Sequence, residues 1–261
     1  MSKRTFSVFA GLCAFLMFAL CAAPSGAQTT EEKEKPAMYS YIANWQIPRE
    51  HWAEMEAANA ADKAILDKAL ADGTIVGYGD DVNLVHTPAG ETHDDWWSAT
   101  SLAGLLKVLD QFTSSGNSTT APLSTATKHW DEVLVSHYYN WKPGATYKGG
   151  YVKLAEYKLK ADAPDNAVEL LSKHLVVPAL EKLLADGTIV EYEIDETAIH
   201  TSAPGTFAIV IVTPTPEGLD TAAAAIRDAV KLHPLAIDAF GSFQDDSGHR
   251  DELLKGNGIF K

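Results

Sequence analysis

The chain has 261 residues, 46% of them hydrophobic, and its 35 acidic against 21 basic residues give a formal charge of -14. An acidic chain without a Lys/Arg cluster is a poor partner for nucleic acid or an anionic membrane surface, both of which need concentrated positive charge. Both cysteines, Cys13 and Cys21, lie in the first 27 residues, so beyond that point composition excludes disulfides, thiolate metal sites and cysteine nucleophiles.

Residues 1–27 read as a signal peptide. Lys3 and Arg4 form a positive start, Phe6 to Leu20 is apolar, and Ser25-Gly26-Ala27 is a small-x-small cleavage pattern. Export to the periplasm or beyond, with cleavage after Ala27, is therefore expected; losing Lys3 and Arg4 takes the formal charge from -14 to -16. No segment is long and apolar enough to predict a membrane span. Residues 28–38 open with QTTEEKEK and read as a flexible leader.

The rest of the chain contains one unit twice. Leu70-Ala71-Asp72-Gly73-Thr74-Ile75-Val76 recurs unchanged 114 residues later as Leu184 to Val190. At the same offset Tyr78 matches Tyr192, Asp81 matches Asp195, and His86-Thr87 matches His200-Thr201. The first copy, 39–141, is predicted as strand Tyr39–Ile47, helix Pro48–Leu70 and an Asp-Gly turn. A hairpin of Thr74–Val85 and His93–Ala99 follows, then a helix capped by Ser101 and a strand Glu132–Tyr139. Ser114 to Lys128 reads as a polar loop, and 142–148 as a linker. The second copy, 149–261, is predicted as strand Tyr151–Leu159, then a helix opened by Asp162 and Pro164 and kinked at Pro178. Next come strand segments at Thr188–Glu193 and Thr197–His200, a buried strand Phe207–Thr213, a helix capped by Thr215, and a last strand Leu235–Phe243.

Each copy is thus βαββαβ, the ferredoxin-like plan, whose sheet leaves one face bare. The expected fold class is α+β: two tandem ferredoxin-like units with antiparallel sheets facing each other. This plan resembles the dimeric α/β-barrel superfamily, in which two such units face each other as separate chains or fused. The resemblance rests on element order, the helix-Asp-Gly-strand turn and the duplication, and covers about 100 residues per copy. Members include monooxygenases, isomerases, haem-handling enzymes and stress-response proteins. The resemblance implies a ligand space between the sheets or between sheet and helix. It supplies no catalytic motif to carry onto this chain.

Several residues are candidates for chemistry. His86 and His200 occupy equivalent places, which suits a ligand site as well as a plain strand terminator. All six tryptophans belong to the first copy. On its third strand His93, Asp95 and Trp97 alternate on one face, with Asp94 and Trp96 on the other. On its fourth strand His137 shares a face with Tyr139, and Ser136 with Tyr138. The strand of the second copy that matches the third, Phe207 to Val212, is plain and largely aliphatic. An aromatic, histidine-bearing wall suits a cavity with few polar groups, and it suits a packed core or an interface equally. Expected ligand-binding residues are Trp45, Trp96, Trp97, Tyr138, His86 and His200. Expected proton-handling residues are His93, His137, Tyr139 and Glu156, the last as a buried carboxylate if the face carrying Leu154 points inward.

The leading expectation is a module that binds a small apolar or aromatic molecule or acts through contacts alone. The alternative is a cofactor-independent monooxygenase or isomerase. A lesser one is haem binding through His174. No metal motif and no cofactor motif is present. The partners expected are a small ligand and a second copy of the chain, with no nucleic acid.

Overall fold

The computed structural model describes residues 35–115, 121–199 and 205–261. The predicted signal peptide and most of the leader lie outside this range, as does His200. Strand β1 (Met38–Gln46) leads through a short 3-10 turn into helix α1 (Trp52–Asp72). Strands β2 (Gly77–Asn83) and β3 (His93–Ala99) follow, then α2 (Leu102–Ser115), the short α3 (Ala121–Ser124) and β4 (Lys128–Trp141). The second half is β5 (Thr146–Lys158), α4 (Ala167–Leu171), α5 (Val177–Asp186), β6 (Glu191–Thr197) and β7 (Thr206–Thr213). Helices α6 (Pro216–Leu232) and α7 (Pro234–Phe243) and strand β8 (Arg250–Phe260) complete it.

The heptapeptide repeat is a helix-ending turn used twice. Gly73 and Gly187 take φ of 81° and 86°, a left-handed conformation that costs glycine little. Asp72 accepts bonds from Thr74 N (3.0 Å) and Thr74 Oγ1 (2.6 Å), and Asp186 does the same for Thr188 at 2.9 and 2.6 Å. Ile75 and Ile189 are fully buried at the start of the next strand. Equivalent tyrosines then tie strand to helix: Tyr78 donates to Asp67 at 2.5 Å and Tyr192 to Glu181 at 2.6 Å.

All eight strands close into one antiparallel barrel in the order β1-β3-β2-β8-β5-β7-β6-β4. Within each half the expected strands are neighbours. The halves do not meet only as opposed faces, however. They are hydrogen-bonded edge to edge, β2 with β8 from Gly77↔Phe260 to Asn83↔Leu254, and β4 with β6 from Leu134↔Thr197 to Trp141↔Glu191. Closure satisfies every edge, which two separate sheets would leave open. Lys35 to Lys261 accordingly form one compact unit. Among the described residues no helix is long and apolar enough to cross a membrane.

Several expected elements differ; the predicted polar loop Ser114 to Lys128, for one, carries the short helix α3. Leu235–Phe243 is not the last strand but lies in α7. Pro234 fits the first turn of a helix, and Ile237 and Phe240, three apart, pack on the second core while Leu235 stays exposed. The last strand is β8, whose Gly256 and Gly258 mask its identity. A side chain at Gly256 would collide with the Asp81 carboxylate and the Asp80 carbonyl, so glycine is what lets β8 approach β2. The Pro178 kink takes the form of a π turn, Ser172–Val176, ahead of a residue with no N–H to donate. β5 begins at Thr146, which shortens the predicted linker to a turn.

Candidate functional site

Alternation along the strands makes two different surfaces. On β1, Ser40, Ile42 and Asn44 point into the barrel, while Tyr41, Ala43 and Trp45 point outward under the helices. On β3, Asp94, Trp96 and Ser98 line the interior, and His93, Asp95 and Trp97 face outward, the alternation expected from sequence. Each surface has its own cavity.

The larger, about 710 Å³, lies between the outer face of the first half and helix α1, within the usual range of ligand pockets. The origin of this space is visible in α1. At the repeat offset, Leu183 of α5 stands where α1 has Ala69, and Val176 where α1 has Asp62. In the second half Leu171, Leu175, Val176, Leu180 and Leu183 fill the sheet–helix interface with Ile209 and Ile211. In the first half small and polar side chains leave it partly empty. The contrast between the two helical stripes is legible in the sequence at the repeat offset, although not the space that it leaves. The aromatic and aliphatic walls therefore do not oppose each other across a common space: each faces its own helices.

Flat rings line the cleft. Trp97 stacks on Tyr41 at 4.4 Å, and Trp45 stacks on His129 at 3.6 Å. Trp52 at the start of α1 meets His93 edge-on at 5.3 Å. Trp97 Nε1 donates to the Leu105 carbonyl at 3.3 Å and His129 Nδ1 lies 3.0 Å from the Asn44 carbonyl oxygen, which fixes both rings. Burial, then the hydrogen bond and charge of Asp131, push the Tyr41 phenol well up.

Two titratable groups on β3 share this face. Burial raises the Asp95 carboxyl to about 8, helped by the charges of Asp80, Asp62 and Asp81. Burial, with nearby His86, lowers His93 to about 4, so its imidazole is neutral at pH 7. A carboxyl that titrates near neutrality beside a neutral imidazole is suited to moving a proton.

The expected site residues scatter. Trp45, Trp97 and His93 line the cleft, and Trp96 borders both cavities. His86 lies beyond the end of β2 in an exposed loop, its ring 5.0 Å from Trp52. Glu156 does point into the barrel, as does Leu154, but it is held by Arg250 at 3.2 Å and lies far from the cleft's lining. A β-bulge between Ser136 and Tyr138 breaks the expected alternation of β4. His137 is exposed, and Tyr138 packs on the second core. The Tyr139 hydroxyl donates to the Pro36 carbonyl at 3.0 Å. None of these three lines either cavity, so they do not join His93 in one proton-handling group. His174 is exposed on the helix surface and lines neither of these two cavities. Tyr41, Trp52 and His129 also line the cleft, and Asp95, which strand alternation groups with His93 and Trp97, joins the expected proton-handling His93 there.

No family model matches the chain, and no curated protein matches it. Solved structures do. A candidate monooxygenase from Lactobacillus acidophilus NCFM is similar with a TM-score of 0.58 at 13% identity, over 85% of this chain and 94% of that one. A candidate monooxygenase from Fusobacterium nucleatum gives 0.59 at 8%, over 86% and 93%. The fold is that of the dimeric α/β barrels. An anthrone oxidase-like protein gives 0.50 at 7%, over 85% and 92%. At such identities the likeness to these barrels concerns the fold alone; chemistry has to be argued from the cleft.

Proposed function

We propose that the cleft binds a flat aromatic molecule of low polarity and that its Asp95 and His93 handle a proton of that ligand. The observation that carries this is the 710 Å³ space walled by stacked rings, at a place where the second half of the same chain is packed solid. Stacking against Trp97 and Trp45 would hold the plane of the ligand, and the few polar groups would orient it.

The position of Asp95 favours a reaction over storage alone. As a carboxylate with a conjugate acid near pH 8, it is a base of useful strength at neutral pH. Removal of a proton from a phenol or activated methylene yields an electron-rich anion that reacts with dioxygen without a cofactor. For an anthrone the balance is substrate plus O₂ giving the anthraquinone plus water. Neutral His93 would hydrogen-bond the developing oxyanion. The two monooxygenase-type neighbours and the anthrone oxidase-like one share the fold on which such a reaction would be built.

Titration with anthrone, followed by tryptophan fluorescence and an oxygen electrode, tests both parts. Saturable quenching that weakens at least tenfold in Trp97→Leu is expected. A titration with no quenching up to the solubility limit would end the binding reading. Quenching without oxygen uptake would leave a binding module and remove the oxygenase.

Two further readings belong with this one. We propose that the halves are tandem ferredoxin-like units from a duplication, supported by the shared turn and by the same strand order, β4-β1-β3-β2 and β8-β5-β7-β6, in each. We also propose export with removal of residues 1–27. The mass of the protein recovered from the producing cell should correspond to a chain starting at Gln28; an intact Met1 terminus outside the cytoplasm would refute it.

A further inference from the structure

We infer that the barrel interior is a second binding site, separate from the cleft, for a small organic cation carrying primary ammonium groups. The interior cavity is about 120 Å³. By the same measure one water needs roughly 10–15 Å³. Nine carboxyl side chains line it, against a single basic group, Arg250. Arg250 serves only one end: it pairs with Glu156 at 3.2 Å and Glu252 at 3.3 Å and is half exposed, which marks that end as the mouth. The other end is plugged by Phe260, stacked on Trp141 at 5.1 Å and beside Tyr147.

Between mouth and plug the acids are uncompensated. Asp81, Glu191 and Asp195 are 5%, 2% and 3% exposed, and each keeps a buried carboxyl oxygen with no hydrogen-bond partner. Asp81 uses its other oxygen to accept from Trp96 Nε1 at 3.1 Å. Native interiors rarely leave such atoms orphaned unless something else satisfies them. Asp81 and Asp195 are moreover the same position of the repeat. Both copies thus aim an orphaned acid into the lumen, while most of the surrounding residues have diverged.

Geometry selects the kind of cation. Among the described residues no three His, Asp or Glu side chains are placed to hold one metal ion. The acids instead form a row. Glu191, Glu193 and Asp195 lie on one face of β6, and Glu193 shares hydrogen bonds with the carboxyls on either side of it, which leaves the orphaned oxygens of Glu191 and Asp195 at the two ends of the row. A short flexible chain ending in ammonium groups, each with three N–H donors, can reach more than one of these orphaned oxygens where a single point cation cannot. Burial raises all three carboxyls, and Asp81 to about 7, so each keeps its proton to a higher pH than an exposed acid does. Binding a cation must therefore expel protons and must strengthen as pH rises.

Calorimetric titration of the full chain with 1,4-diaminobutane at pH 8.5, in two buffers of different ionisation enthalpy, tests this. Expected are saturable binding, proton release, a raised melting temperature, and at least a tenfold loss of affinity in the Asp81→Asn/Asp195→Asn double variant. Absence of both heat and melting shift in the unaltered protein would overturn the proposal whether or not the variant folds. Unchanged affinity in a folded double variant would place the diamine on the acidic exterior and overturn it too. Saturable binding of calcium chloride in place of the diamine would overturn the choice of ligand class. Trp97→Leu should leave diamine affinity unaltered, so failure of the cleft and failure of the lumen remain distinguishable.

Discussion

At the scale of single residues, strand alternation gives neighbours in sequence opposite fates. Asp94 and Asp95 are adjacent, yet one faces the lumen and the other the cleft. Asp95 is the residue on which the proposed reaction depends. Because the ionised form is the base, kcat/KM should rise as pH passes through about 8 and level off above it. Replacing it in Asp95→Asn should lower kcat by about 10²–10⁴ with little change in KM. A flat pH profile, or an unchanged kcat in the variant, would leave binding intact and dismiss proton transfer. That His93, Asp95 and Trp97 share one face was readable from sequence; that this face points outward was not. The failure of His137, Tyr138 and Tyr139 was not, because one bulged residue on β4 reverses the faces beyond it, and a bulge leaves no reliable mark in composition.

At the scale of elements, the cleft is the difference between two helices that hold equivalent places in the sequence repeat. Asp62→Val would put into α1 the side chain that the second half has at Val176. It should fill part of the cleft and weaken anthrone binding at least tenfold while the melting temperature holds or rises; equal binding in the variant would show that the ligand lies elsewhere. The opposite change in the packed half, Leu180→Ala, should cost about 2–5 kcal/mol by denaturant unfolding, since Leu180 is fully buried. The β8 strand is the element that sequence reading lost. Its glycines lower its strand propensity, yet Gly256 is required by the close approach of Asp81 and the Asp80 backbone. Gly256→Val should therefore loosen the β2–β8 seam, read as faster amide exchange in Gly77–Asn83 than elsewhere in the barrel.

For the whole molecule, closure puts an acid-rich lumen inside a hydrogen-bonded wall. The linkage follows from raised acids. Asp81 titrates at about 7 and Glu252 at about 8 in the folded chain, against 3.8 and 4.5 for the same groups in the open. Their neutral forms are accommodated and their charged forms resisted. Stability from this source is complete below about pH 4, declines as pH rises from there to about 8, and then levels. The melting temperature without ligand should fall between pH 5 and 8, and 1,4-diaminobutane should restore it at the upper end. A melting temperature that climbs over that interval would mean the lumen acids are not buried as described. Closure also ties the halves together, so residues 35–141 and 146–261 expressed apart should be unfolded or aggregated and should recover circular dichroism only when combined.

By itself, the sequence determined the internal repeat, the α+β plan, the turn that ends α1 and α5, and the grouping of His93, Asp95 and Trp97 on one face of β3. All of these are local: they need only periodicity, a left-handed glycine and two similar segments. The tertiary structure alone decided that the sheets join edge to edge, that α1 leaves a cleft where its counterpart fills one, and that acids from distant strands share one lumen. Those outcomes depend on which side chains meet across a closed barrel, and burial, desolvation and strand register arise only when the chain has closed on itself.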